Sequence, residues 1–180
     1  MDAPNEAALE MKIAAAPFDF EAAFRAHYER IARVIGRVVR DPARAEELTV
    51  EVFLKLWRSP KAHGEKADGW LYRTAVRAAI DELRSQTRRA KFERLLGFVR
   101  PTPAPTPEDV RSAAEDQDRV RLVLGSIDRR HTELLLLRSH GFSYEEVAAA
   151  LDLNPASVGT FLIRAQQTFR KEYVNRYGEQ

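Results

Sequence analysis

The sequence predicts an all-α protein of two small helical domains joined by a proline-rich linker. Three observations carry this. Apolar residues recur at helical spacing along most of the chain, and no segment alternates as a strand would. The stretch "GFVRPTPAPTPEDVRSAAEDQD", Gly97 to Asp118, interrupts that periodicity with prolines at 101, 103, 105 and 107. Proline cannot continue a helix and favours an extended chain, so this segment reads as a semi-rigid spacer. At 180 residues the chain can form a small unit on either side of it. The expected organisation is a loose tail over 1–17, a first domain over 18–96, the linker over 97–118 and a second domain over 119–180.

The elements follow in order. The tail could hold at most a frayed helix at Glu6–Ala16. Phe20, Phe24, Tyr28, Ile31 and Ile35 line one side of a first helix. Asp41-Pro42 is an N-cap followed by proline at the first helical position, so a second helix runs from there to about Arg58. Leu48, Val52 and Leu56 form its apolar stripe, with Phe53 and Trp57 beside it. Ser59 to Gly69 is rich in turn residues. Asp68 can cap a third helix with Leu71, Ala75, Ala79 and Leu83 on its core side. Beyond the linker, helices are expected at about Arg119–Ser126 and Arg129–Ser139, with Gly141 ending the latter. Ser143 and Glu146 form a capping box that opens "SYEEVAAAL". The turn Asp152-Leu153-Asn154 leads into a last helix from Pro155 to about Arg170, capped by Asn154.

Composition excludes several classes of function. No cysteine is present, so disulfides, thiolate catalysis and cysteine-bound zinc are ruled out. No apolar run approaches the roughly 20 residues of a membrane span, and the acidic N-terminus lacks the basic start of a secretory signal. A cytoplasmic protein is expected. His27, His63, His131 and His140 are scattered, and glycine-rich phosphate loops and G-x-S-x-G are missing. The chain reads as a non-enzyme that needs neither cofactor nor metal. The net charge of +2 is unevenly spread: residues 18–100 hold 18 Lys/Arg against 12 Asp/Glu, while 101–119 hold 2 against 5. A basic first half suits a polyanionic partner.

Three constellations carry the functional reading. Ser143–Leu151 and the last helix, joined by a three-residue turn, have helix-turn-helix spacing. Ala148 is small where the helices cross, and Val158 is apolar where it must fill the angle between them. Asp152 occupies a turn position that suits glycine, and Asp tolerates left-handed backbone better than most residues. At about 100° per residue, Phe161, Leu162, Ala165 and Phe169 share the inner face with Val158. Ala156, Thr160, Arg164, Gln167 and Lys171 face away, with Ile163 an apolar neighbour. Gly159 on the flank would let backbone approach DNA. Ala156 and Thr160 are expected at base edges, and Arg164 and Lys171 at phosphates.

On the third helix Arg73, Arg77, Arg84 and Arg88 recur along one side, with Trp70 and Tyr72 at its start. Arginines beside aromatics suit a partly unstacked strand, although Trp70 also reads as core. On the second helix Glu46, Glu47 and Glu51 flank an apolar stripe, which suits a protein-docking face.

Taken together, "DPARAEELTVEVFLKLWR", "GWLYRTAVRAAIDELR", the proline-rich linker and "FSYEEVAAALDLNPASVGTFLIRAQQTFRK" resemble one family. It is the extracytoplasmic-function (ECF) group of bacterial RNA polymerase sigma factors, within the sigma-70 family, and the resemblance covers about residues 18–173. It implies a region 2 helical bundle that docks on the β′ coiled coil of core RNA polymerase and opens the −10 element, and a region 4 helix-turn-helix that reads the −35 element of promoter DNA and touches the β-flap. Glu46, Glu47, Val50, Glu51 and Leu54 then lie where the family meets polymerase. Lys61, His63 and Lys66 lie in the loop Lys61–Asp68, which matches the base-capturing loop. Trp70, Arg73, Arg77, Arg84 and Arg88 match the −10 helix. Ala156, Ser157, Gly159, Thr160, Arg164, Gln167 and Lys171 belong to the −35 helix. An anti-sigma factor is the other partner the resemblance implies. Val50 stands where glutamine is usual, Glu47 where aspartate is, Arg77 where asparagine is common, and Gly159 and Phe161 where basic residues are frequent. These departures keep two other readings in view: a sigma-like decoy that binds an anti-sigma protein without directing transcription, and a dimeric helix-turn-helix regulator.

Overall fold

The structure is a computed structural model that describes residues 18–64, 66–96 and 108–178. The N-terminal tail with its expected frayed helix, and the four linker prolines, lie outside the described residues. Seven α-helices and one short 3-10 turn make up the described chain.

Helix α1 spans Phe20–Val38 and is capped by Asp19, whose carboxylate accepts from the Ala22 N–H at 2.9 Å. It buries Ile31, Val34, Ile35 and Val38. Its half-buried rings Phe20, Phe24 and Tyr28 gather around Phe53 of helix α2, Pro42–Trp57, at centroid distances of 6.4, 4.8 and 6.2 Å. Asp41 caps α2 as expected, accepting from Ala43 and Arg44 N–H groups. The turn Pro60–Ala62 and Gly64, at φ +93°, then lead into helix α3, Ala67–Leu95.

Asp68 does not cap α3. The Ala67 N–H bonds the Gly64 carbonyl at 3.0 Å, and the helix starts at Ala67, two residues before the Gly69 start that an Asp68 cap implies. The Asp68 carboxylate instead accepts from His27 Nε2 at 3.0 Å.

Helix α4 spans Glu108–Ser126, so the acidic half of the expected linker is helical. Neither Gly nor Pro occurs between Glu108 and Leu124, and Glu108 and Asp109 complement the positive end of a helix dipole. Helix α5, Arg129–Ser139, is capped by Asp128 through the Arg130 N–H at 2.8 Å. Gly141 takes the left-handed φ of +81° expected after it. The capping box of helix α6, Tyr144–Leu151, is present in both directions: Glu146 N–H to Ser143 Oγ at 3.1 Å, and Ser143 N–H to Glu146 Oε2 at 2.7 Å. Asp152 ends α6 in left-handed geometry at φ 55°, ψ 55°. Asn154 caps helix α7, Pro155–Tyr177, through the Ala156 N–H at 3.0 Å. This helix outruns its expected end at Arg170 because Phe169, Tyr173 and Tyr177 continue one aromatic face, with centroids 6.1 and 5.2 Å apart.

Helices α1, α2 and α3 pack on one another, and α4 to α7 form a second group. The two groups are not held apart. α3 lies against α4, α5 and α6, and one buried cluster runs through both groups. α3 is therefore the shared wall of the molecule.

Candidate nucleic-acid and protein interfaces

The helix-turn-helix is built as its spacing requires. Val158 and Ala165 of α7 are fully buried, and Ala148 of α6 nearly so. With that face fixed inward, Ala156, Thr160, Arg164, Gln167 and Lys171 emerge on the exposed side, and Ser157 is half-buried at the first turn. Phe161 is half-buried against the core, so it faces inward as expected. Gly159 also lies next to a second side chain, at an ordinary van der Waals distance. A Cβ there would sit 3.5 Å from Tyr144 Cε2, so the exposed ring of Tyr144 lies over this turn of α7. Arg138 stacks on the same ring, 5.6 Å from its centroid. Tyr144 was not legible as part of this surface, because the contact joins separate helices.

The arginines of α3 divide into two kinds. Arg73 is half-buried and Arg88 exposed, and neither makes a hydrogen bond or ion pair among the described residues. Arg77 and Arg84 are engaged by the second helix group. Arg77 Nε donates to Glu133 Oε1 at 2.8 Å, and the Glu133 side chain is only 1% exposed. Arg84 donates to the Gly125 and Ile127 carbonyls at 3.2 and 2.9 Å, satisfying the C-terminal end of α4. Asp81 of α3 pairs with Arg129.

At the start of α3 both aromatics pack against the core. Trp70 is half-buried against the core, and Tyr72 is buried. The Tyr72 hydroxyl bonds His27 Nδ1 at 2.8 Å, and its ring meets Phe142 edge-on at 4.6 Å. Burial raises the Tyr72 pKa, which keeps this hydroxyl protonated and able to donate. Arg30 of α1 lies 3.9 Å from the Phe142 centroid and bonds Glu146 of α6 at 3.0 Å. Burial works to raise the Glu146 pKa, but the Ser143 N–H and Arg30 outweigh it and hold the carboxyl below its ordinary range. Gly69 completes this contact: a Cβ there would lie 2.9 Å from the Ala149 carbonyl oxygen, too close for any side chain.

In the loop, Lys61, Gly64 and Lys66 are exposed. His63 is half-buried, bonded to the Leu56 carbonyl at 2.9 Å and stacked on Phe18 at 4.2 Å with the rings 13° from parallel.

The outer face of α2 is open. Glu46, Glu47, Val50 and Leu54 are exposed and Glu51 is half-buried. Trp57, placed beside the stripe by sequence, is 61% exposed and extends the row Val50, Leu54 by one turn. Spacing could have found it, since 50, 54 and 57 share one side of a helix. Arg44 gathers Glu47, Glu51 and Glu82 at 2.9 to 3.1 Å. Hydrogen bonds to Glu47 and Glu82 hold its guanidinium above the ordinary arginine pKa. Glu46 makes no ion pair among the described residues. No helix among the described residues is long and apolar enough to cross a membrane.

Similarity to known proteins agrees with this arrangement. Residues 23–89, covering most of α1 to α3, match the family model of sigma-70 region 2. ECF RNA polymerase sigma factor SigK of Mycobacterium sp. (strain KMS) is 33% identical over 146 residues, covering 76% of this chain and 75% of that protein. The SigK protein of Mycolicibacterium vanbaalenii is 31% identical over 159 residues, covering 83% and 81%. The solved structure of CnrH in complex with the cytosolic domain of CnrY shares the fold, with a TM-score of 0.50 at 19% identity over 84% of this chain and 85% of that one. The chain therefore belongs to the ECF group of RNA polymerase sigma factors, and its function is to direct transcription initiation.

Proposed function

We propose that this sigma factor uses three surfaces in one initiation cycle, and that one of them is covered while the chain is free. The α2 face of Glu46, Glu47, Val50, Glu51 and Leu54, extended by Trp57, docks on the β′ coiled coil of core polymerase. The exposed side of α7 reads the −35 element. Helix α3 opens the −10 element, with Arg73 and Arg88 already available for phosphates and Lys61 and Lys66 in the loop that takes the flipped base. The β-flap holds the second helix group. The chain acts in the cytoplasm, with neither cofactor nor metal of its own.

The observation that carries the covered state is the pairing of Arg77 and Arg84 with the second helix group. Both sit on the side of α3 assigned to the −10 strand. Neither can offer a phosphate its full set of guanidinium donors while Arg77 Nε holds Glu133 and Arg84 holds the end of α4. Promoter opening thus requires the two helix groups to separate, so that Arg77 exchanges a buried carboxylate for phosphate. A protein partner that favours the closed arrangement would silence the chain, and an anti-sigma factor is that partner. CnrH was solved with a protein bound, and it shares this fold.

Run-off transcription with core polymerase on a genomic template library, followed by sequencing of the start sites, tests the assignment. The expected result is a set of starts, absent with core alone, that share one −35 and one −10 sequence. A decoy would yield no such starts on any template. Starts whose upstream sequences share nothing would refute the assignment of α3 and α7.

A further inference from the structure

Ile163 is 57% exposed on α7, while its neighbour Leu162 is buried and Phe161 is packed against the core. With the fully buried Val158 at 0°, Ile163 lies at about 140°, between Gly159 and Ala156 and close to Gln167 at about 180°. It is thus a large apolar side chain near the middle of the exposed face. Its surroundings are small or polar: Ala156, Thr160 and Gln167, with Arg164, Arg170 and Lys171 toward the C-terminal half. The charges lie where phosphates would be met, and the first two turns, Pro155 to Leu162, carry no charge.

We propose that Ile163 reads a thymine methyl group in the −35 element. The inference rests on the reading of α7 as the −35 helix. An aliphatic side chain can neither donate nor accept a hydrogen bond, so it gives no direct readout of donors or acceptors. The major groove displays one apolar group, the C5 methyl of thymine. Contact between the two removes both from water. Cytosine at the same position has no methyl and presents an amino donor, which Ile163 would desolvate without pairing. Ile163 therefore selects thymine by a favourable contact and rejects cytosine by an unpaired donor.

The test uses holoenzyme reconstituted from core polymerase and the full chain. A promoter library randomised over the −35 element first identifies the preferred site. Each −35 thymine is then replaced singly by deoxyuridine, which removes the methyl and nothing else. One replacement should lower occupancy about fourfold with the native chain, the value of burying roughly one methyl-sized group. The same replacement should have no effect with Ile163→Ala, and most of its effect should return with Ile163→Val. Where cytosine is placed at that position, 5-methylcytosine should recover part of the loss in the native chain alone. Equal deoxyuridine penalties for the native chain and Ile163→Ala at every −35 thymine would overturn the proposal. Unchanged thermal melting and −10 dependence of Ile163→Ala separate this from misfolding. Two failures remain distinct. If randomising the −35 element has no effect on the native holoenzyme and Arg164→Ala is silent, the reading of α7 itself fails. If −35 sequence matters but every deoxyuridine is tolerated by both proteins, the Ile163 proposal alone fails.

Discussion

Glu133 is a carboxylate at 1% exposure whose oxygen meets Arg77 Nε at 2.8 Å, while the Arg77 side chain is itself 43% exposed. Removing Arg77 strands a buried charge, which is far more costly than losing a surface pair. Because Arg77 is half in water, the cost should fall below that of a fully buried pair, at about 2 kcal/mol. Arg77→Ala should lower stability in urea unfolding by that amount, and adding Glu133→Leu should restore most of it. If the two substitutions prove additive, the pair does not couple the helix groups. His140 supplies a pH dependence. Burial lowers its pKa from the ordinary 6.5, opposed by the Leu136 carbonyl, and Arg37 lowers it further. The folded chain therefore refuses a proton that the unfolded chain accepts. Stability from this neutral histidine is complete above pH 6.5 and is lost as pH falls through the depressed folded value. Thermal melting at pH 7.5 and 5.5 should show a drop that Leu in place of His140 reduces. Sequence placed Arg77 and Arg84 on one helix side correctly. It could not show what they hold, because the Glu133 carboxylate is 56 positions away and the carbonyls at Gly125 and Ile127 are 41 and 43 positions away.

At the scale of elements, legibility followed the range of the forces involved. The caps at Asp41, Ser143 with Glu146, and Asn154 bond within three residues, and each was readable and is present. The left-handed turns at Gly141 and Asp152 are equally local. The ends that were misread depend on contacts from elsewhere or on sequence cues of the wrong weight. Asp68 looks like a cap but bonds His27 of another helix. The segment after Pro107 shares its composition with the linker, yet nothing in it stops a helix until Gly125. The last helix continues because Tyr173 and Tyr177 prolong the aromatic face that Phe169 begins. Asp152 keeps a strained conformation that glycine would adopt freely, so Asp152→Gly should stabilise the chain by about 0.5 kcal/mol after the added freedom of the unfolded state is counted. Calorimetry should show a small rise in melting temperature. A fall would mean that the Asp152 side chain contributes more to the turn than its backbone strain removes.

At the scale of the molecule, the sequence was read as two units separated by a spacer, and the structure brings them together along α3. Four features of that seam were invisible in sequence: Arg30 on Phe142, Tyr72 against the same ring, Gly69 against the Ala149 backbone, and Asp81 with Arg129. Each joins residues far apart in the chain. The seam leaves the α2 face and the outer side of α7 open while it occupies two arginines of α3. In the cycle we propose, such a free chain meets polymerase and the −35 element before it takes the −10 element.

We predict that the two helix groups separate before the −10 element opens. The native chain has no cysteine, so Asp81→Cys with Arg129→Cys provides one pair of thiols across the seam. Joining them with a short cleavable crosslinker should abolish promoter-dependent run-off transcription by the holoenzyme, and cleaving the linker should restore it to the level of the unlinked variant. Full transcription from the crosslinked protein would contradict the account.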